Sequence, residues 1–162
     1  MQYIRSLSNP DSEECFLCAA ARATSDEEKE GRLVVWTSEH CVVLINLFPY
    51  TNGHLLIAPK AHKADLEELS DAEATDLQRQ TTEAVKLLKR AMSPQGFNLG
   101  INLGRVAGAG VPGHLHQHVV PRWGGDVNFM TVVGDVRVVP EAAEQVWREL
   151  VRVRTDRASD SA

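Results

Sequence analysis

Residues 113–123 read Gly-His-Leu-His-Gln-His-Val-Val-Pro-Arg-Trp and carry three of the chain's six histidines at alternate positions. Alternate residues of a β-strand point to one face. The spacing predicts a strand over 115–121 that sets His114, His116 and His118 side by side and turns Leu115, Gln117 and Val119 the other way. Such a row cannot serve as ordinary core, because a ring nitrogen buried without a partner costs about 1–3 kcal/mol. Three imidazoles on one face point to a chemical site. Two chemistries fit the row: a metal held by a His-x-His pair, or a nucleophile whose neighbours donate to an anion.

The fourteen positions 100–113 hold five glycines and no carboxylate. Glycine lets backbone N–H groups approach and aim at an anion, and Arg105 adds a positive charge. Read alone, this run equally fits a hairpin connection. Beside the triad it reads as a phosphate cradle, which favours the nucleophile over a catalytic metal. The net charge of −5 argues against a nucleic-acid surface, which needs a basic patch. An anionic ligand must then be held by local donors. There is no 18-residue apolar run, and the first six residues lack the apolar core of a secretion signal. The expectation is a cytoplasmic protein with no membrane partner and reduced thiols.

At 162 residues and 43% hydrophobic, the chain fits one domain with its own core. A short helix is expected over 15–23, then a charged loop over 24–31. Strands follow over 33–36 and 41–46, joined by a hairpin at 37–40, and over 54–59. Ser70 and Glu73 form a capping box that opens a helix with Leu77, Ala84, Val85, Leu88 and Met92 at helical spacing. Its other face (Asp76, Gln78, Arg79, Glu83, Lys86, Lys89) reads as solvated, and Pro94 and Gly96 end it. Further strands are expected over 97–103, 115–121 and 129–133. Pro140 opens an amphipathic helix with Val146, Trp147, Leu150 and Val151 on one side, and 155–162 reads as a disordered tail. The fold class is α+β, an antiparallel five-stranded sheet with helices packed on one side.

Cys15-Phe16-Leu17-Cys18 is a CxxC, which on its own fits chance, a redox pair or half of a zinc site. A redox pair normally follows a strand, and none precedes this one. A zinc site needs two further ligands from elsewhere. Cys41, at the head of Val42-Val43-Leu44-Ile45, reads as a buried strand residue.

The run His114-Leu115-His116-Gln117-His118-Val119-Val120 resembles the signature of the histidine triad superfamily. Asn46-Leu47-Phe48-Pro49-Tyr50-Thr51-Asn52-Gly53-His54-Leu55-Leu56-Ile57-Ala58-Pro59-Lys60 is similar to that family's nucleoside-binding strand pair. Pro121-Arg122-Trp123-Gly124-Gly125-Asp126-Val127-Asn128-Phe129-Met130 is similar to its diadenosine tetraphosphate phosphorylase branch. The resemblance implies a HIT-like fold and nucleotidyl transfer, converting diadenosine tetraphosphate and inorganic phosphate into ADP and ATP. His116 would be the nucleophile, forming a nucleotidyl-histidine, and His118 would stabilise charge with the amides of Gly108, Gly110 and Gly113. It implies that Asn46 meets ribose, His54 orients the triad, Asn102 meets phosphate or leaving group, and Trp123 stacks on a second nucleoside. Hydrolysis of dinucleoside polyphosphates or nucleoside phosphoramidates is the alternative, with a non-catalytic nucleotide-binding module behind it.

Zinc-bearing members pair a CxxC with two histidines, which places a structural zinc on Cys15, Cys18, His62 and His114. That zinc would tether an N-terminal arm, 1–31, to a single domain over 1–154. A homodimer is implied as well. Two departures from the pattern stand out: Gln117 fills a slot that is usually apolar, and Gly110 stands where several relatives carry Ser or Thr.

Overall fold

Apolar runs broken by short polar turns build three consecutive antiparallel strands, β1 (Val34–Thr37), β2 (Cys41–Ile45) and β3 (Leu55–Pro59). The computed structural model describes residues 15–126 and 142–160. Every residue of β2 and β3 is buried, the pattern of strands covered on both faces. β5 (Gln117–Arg122) pairs with β3 on one side and with the edge strand β4 (Gly96–Ile101) on the other, in the order β1-β2-β3-β5-β4.

The period of two divides the sheet's apolar residues between two clusters. Val43, Ile45, Leu55, Ile57 and Val119 pack on α3 (Asp71–Met92) and α4 (Ala143–Asp160) through Leu77, Ala84, Leu87, Leu88, Val146 and Leu150. Fully burying one such leucine contributes about 1.5–3 kcal/mol, so this face supplies most of the core. On the other face Val34, Val42, Leu44, Leu56 and Ala58 meet Leu17, Ala20 and Ala23, carried by α1 (Phe16–Arg22) and its C-terminal end. The two long helices share one side, as expected, while the short α1 lies on the other. The site is built on that second face, where His118 pairs beside Leu56.

Three expectations need correction. Residues 26–31 form a helix, α2 (Asp26–Gly31), not a loop: Ser25 Oγ accepts from the Glu28 N–H at 3.1 Å and the Glu28 carboxylate accepts from the Ser25 N–H at 3.1 Å. α4 continues to Asp160, across most of the expected tail. Its last turns are supported by Arg152 paired with Glu149 and Asp156 at i−3 and i+4. Asp76, expected to be solvated, is buried and accepts from the Ser38 hydroxyl, the His40 N–H and the Gln80 amide. The expected strand over 129–133 and the helix start at Pro140 lie outside the described residues.

Gly53 sets the entry to β3. Its φ is +73°, and a Cβ there would stand 2.6 Å from Met92 Sδ and 3.0 Å from a Leu88 methyl. The loop backbone therefore rests directly on α3. Gly53→Ala should destabilise the domain by about 1–3 kcal/mol, read as a lower denaturant midpoint. A midpoint equal to the parent's would show that the loop repacks without strain.

Candidate active site

The strand carrying the triad begins later than its sequence suggests. His114 sits in a bend, Leu115 and His116 lie before the ladder, and only His118 is within β5. Loop bonds hold the approach instead: the His114 N–H donates to Val111 O at 3.2 Å and the Leu115 N–H to Lys63 O at 2.6 Å. The three rings consequently do not form one row. His116 and His118 remain neighbours, edge to face at 5.1 Å, whereas His114 turns to the His62 ring at 4.9 Å.

Obligate donors and acceptors fix the ring tautomers. His116 Nδ1 lies 2.8 Å from the His114 carbonyl oxygen. A carbonyl only accepts, so Nδ1 carries the proton and Nε2 is left with its lone pair. His54 Nδ1 accepts from the Tyr50 N–H at 3.1 Å and faces Asn46 Nδ2 at 3.3 Å. Its Nε2 must then be protonated, and it donates to His118 Nδ1 at 2.9 Å. The proton of His118 is thereby placed on Nε2, a buried donor with no hydrogen-bond partner among the described residues. The site presents one imidazole lone pair beside one unsatisfied imidazole N–H.

Burial favours the neutral forms of His116 and His118. It lowers the pKa of His116 against the opposing pull of the His114 carbonyl. His118 is pushed down to about 4, first by burial and then by His116 beside it. A neutral His116 is a competent nucleophile near pH 7.

Asn46 is buried, and its Oδ1 accepts from the Phe48 N–H at 3.1 Å, so both ends of its amide are engaged within the loop. Asn102 reaches the exposed glycine loop, its Nδ2 donating to Gly108 O at 3.4 Å. Gly108 has φ +88°, a conformation suited to glycine. Gly110 and Gly113 are both exposed, and Gly113 lies beside His62. Trp123 is half-buried, its N–H donating to Asp126, which also takes a two-pronged grip from Arg122. Among the described residues neither Gly110 nor Trp123 shares a hydrogen bond or ring contact with the triad. Tyr50, passed over in the sequence, stacks on His118 at 5.9 Å with 15° between the planes. The available signal was an aromatic ring four residues before His54 within the second motif.

Cys15, Cys18, His62 and His114 form a second cluster whose ligand atoms all lie within 4.8 Å of one another. Cys15 Sγ and Cys18 Sγ stand 3.3 and 3.4 Å from His114 Nδ1, and Cys18 Sγ stands 3.2 Å from His62 Nδ1. Tetrahedral bonds of about 2.0 Å to nitrogen and 2.3 Å to sulfur would set ligand atoms roughly 3.3–3.8 Å apart. His114 is already oriented for this role, since its Nε2–H donates to Pro59 O at 2.8 Å and leaves Nδ1 as the ligand atom. Cys41 takes no part: burial, with Asp76 nearby, pushes its thiol up to about 12.

The HIT domain family model matches residues 27–125, well over half of the chain and all three triad histidines. The chain belongs to the HIT family. Over 126 residues this HIT protein is 43% identical to an AP-4-A phosphorylase of Mycobacterium tuberculosis, a match covering 78% of the chain and 63% of that relative. The chain thus spans less than two thirds of that protein's length. It is also 32% identical over 92 residues to an asymmetrical bis(5'-nucleosyl)-tetraphosphatase of Schizosaccharomyces pombe, covering 57% of the chain and 50% of that protein. A solved structure of a Zn-bound histidine triad family protein from Mycobacterium smegmatis superposes with a TM-score of 0.69. At 24% identity it covers 91% of this chain and 97% of the other, showing the shared fold. Cys15 and Cys18 lie outside the matched segment, while His62 and His114 lie within it.

Proposed function

We propose that this HIT protein is a nucleotidyl-transfer enzyme that cleaves dinucleoside polyphosphates, with diadenosine tetraphosphate and inorganic phosphate giving ADP and ATP. The observation that carries the reading is the pairing of His116 Nε2, held as a lone pair by the His114 carbonyl, with the buried N–H of His118. In the first displacement His116 Nε2 bonds to the α-phosphorus, the bridging P–O bond breaks, and ATP leaves as a stable anion. The His118 N–H, with the amides of Gly108, Gly110 and Gly113, balances the negative charge on the non-bridging oxygens. In the second, a phosphate oxygen attacks the nucleotidyl-histidine, the P–N bond breaks and ADP is released. Asn46 would meet the ribose, Asn102 the phosphate chain and Trp123 the second nucleoside.

Zinc would be held by Cys15, Cys18, His62 and His114. Four protein ligands would close its shell, so it would supply a fixed anchor for the triad loop and no open position for substrate. β4 forms the sheet edge with Leu99 half-exposed, and a free edge with an apolar side chain supports pairing with a second copy. The same reading makes the protein cytoplasmic, with neither nucleic acid nor membrane as a partner. No helix among the described residues is long and apolar enough to cross a membrane.

The products decide between acceptors. Phosphorolysis gives ADP plus ATP, and hydrolysis gives AMP plus ATP. Incubation with diadenosine tetraphosphate is expected to yield ADP once millimolar phosphate is present. Hydrolysis is the second reading, favoured by the likeness to the yeast tetraphosphatase and by Gly110, which offers no side-chain donor to a second anion. An unchanged AMP yield with no ADP would replace the first reading by the second.

A further inference from the structure

Tyr50 is the one aromatic ring stacked on the donor half of this site among the described residues, and nothing in the triad pattern marks it. Its ring lies parallel to His118, 15° between planes at 5.9 Å, and it also leans on His54 at 4.7 Å. Its backbone N–H donates to His54 Nδ1. One residue therefore touches both members of the His54–His118 pair, through its backbone at one end and its ring at the other.

We propose that Tyr50 is a positioning residue that keeps His118 in the tautomer with its proton on Nε2. The inference rests on the nucleotidyl-transfer reading for its effect on rate, but not for its effect on the ring. Among the described residues the His54–His118 bond is the one side-chain hydrogen bond that orients the His118 imidazole, since the other nitrogen of that ring has no hydrogen-bond partner there. A neutral imidazole that rotates away from its donor is free to move its proton to Nδ1. The lone pair would then face the phosphate oxygens, turning a stabilising contact into a repulsive one. A flat ring lying parallel to His118 blocks that rotation at little entropic cost, because Tyr50 has only two side-chain torsions to fix.

The test separates ring from hydroxyl and structure from rate. Tyr50→Ala and Tyr50→Leu remove the aromatic ring, while Tyr50→Phe keeps it; the backbone N–H survives in all three. Nitrogen-15 NMR of the histidine rings at neutral pH reads the tautomer directly, with no dependence on the substrate. The parent and Tyr50→Phe are expected to show His118 protonated on Nε2 alone, and Tyr50→Ala and Tyr50→Leu a mixture of both tautomers. With diadenosine tetraphosphate, kcat should fall about ten-fold in the Ala and Leu variants, a part of what a general donor contributes, while KM stays within about two-fold. Tyr50→Phe should restore kcat. A pure Nε2–H signature in both ring-deleted variants overturns the proposal, as does a Tyr50→Phe loss equal to that of Tyr50→Ala. If the parent shows no turnover, the nucleotidyl-transfer reading fails alone, and the NMR result still decides the role of Tyr50.

Discussion

Replacing His116 by alanine is expected to abolish turnover of dinucleoside polyphosphate, by more than about a thousand-fold, while nucleotide affinity changes by less than about ten-fold. The asymmetry follows from position. His116 is buried, with its Nδ1 tied to the His114 carbonyl, so Nε2 is the nitrogen whose lone pair is left for chemistry. On the proposed reading, deleting it would remove the atom that bonds to phosphorus, but would leave His118, the glycine loop and the Asn46 loop to hold the ligand. Acid-quenched mass analysis should find the nucleotidyl adduct in the parent and none in His116→Ala. An adduct persisting in the variant would assign the nucleophile to another residue.

Protein purified without chelators is expected to carry about one equivalent of zinc per chain. Cys15→Ser should lower the melting temperature by roughly 5–15 °C and reduce activity per folded molecule only a few-fold. The inequality distinguishes an anchor from a participant. Of the four ligands only His114 belongs to the triad, and its link to the nucleophile is the main-chain carbonyl that the Cys15 change leaves in place. The apolar packing of Leu17, Ala20 and Ala23 on the sheet should keep α1 docked in part when the metal is lost. A zinc content below about 0.2 equivalents would rule out a resident metal at these four residues. A larger loss of activity than of stability would make it part of the chemistry.

The sequence carries the sheet and the site unequally. Alternation within residues 34–59 is enough to place three strands, and Ser70 with Glu73 marks the start of α3, because both signals are local. The division of the triad was not legible. Period two extends on paper back through His114, whereas the bond that ends the strand there comes from Lys63, 52 positions earlier along the chain. Lys63 also ties this junction to the start of α3, its ammonium 2.6 Å from the Glu73 carboxylate. The burial of Asp76 is hidden for a similar reason, since a helical wheel cannot show that the hairpin around Ser38 and His40 folds over it. α2 is hard to read because Asp-Glu-Glu-Lys-Glu-Gly has no apolar stripe; only the Ser25–Glu28 spacing marks it. The grouping of Cys15 and Cys18 with His62 and His114 was expected from family likeness alone, as no local pattern joins residues 99 positions apart.

The triad straddles a mechanical boundary. His118 stands in a strand paired on both sides, to Leu56 and Gly100, while His116 precedes the ladder and the glycine loop is held by a few single bonds. Amide hydrogen exchange across this segment should show a step, with slow exchange in the body of the strand and fast exchange over 104–113. A loop able to open without disturbing the sheet allows one product to depart and a second reactant to enter while His118 keeps its place. Admission of the acceptor and retention of the charge-stabilising group would then be tasks of separate parts of one short stretch of chain.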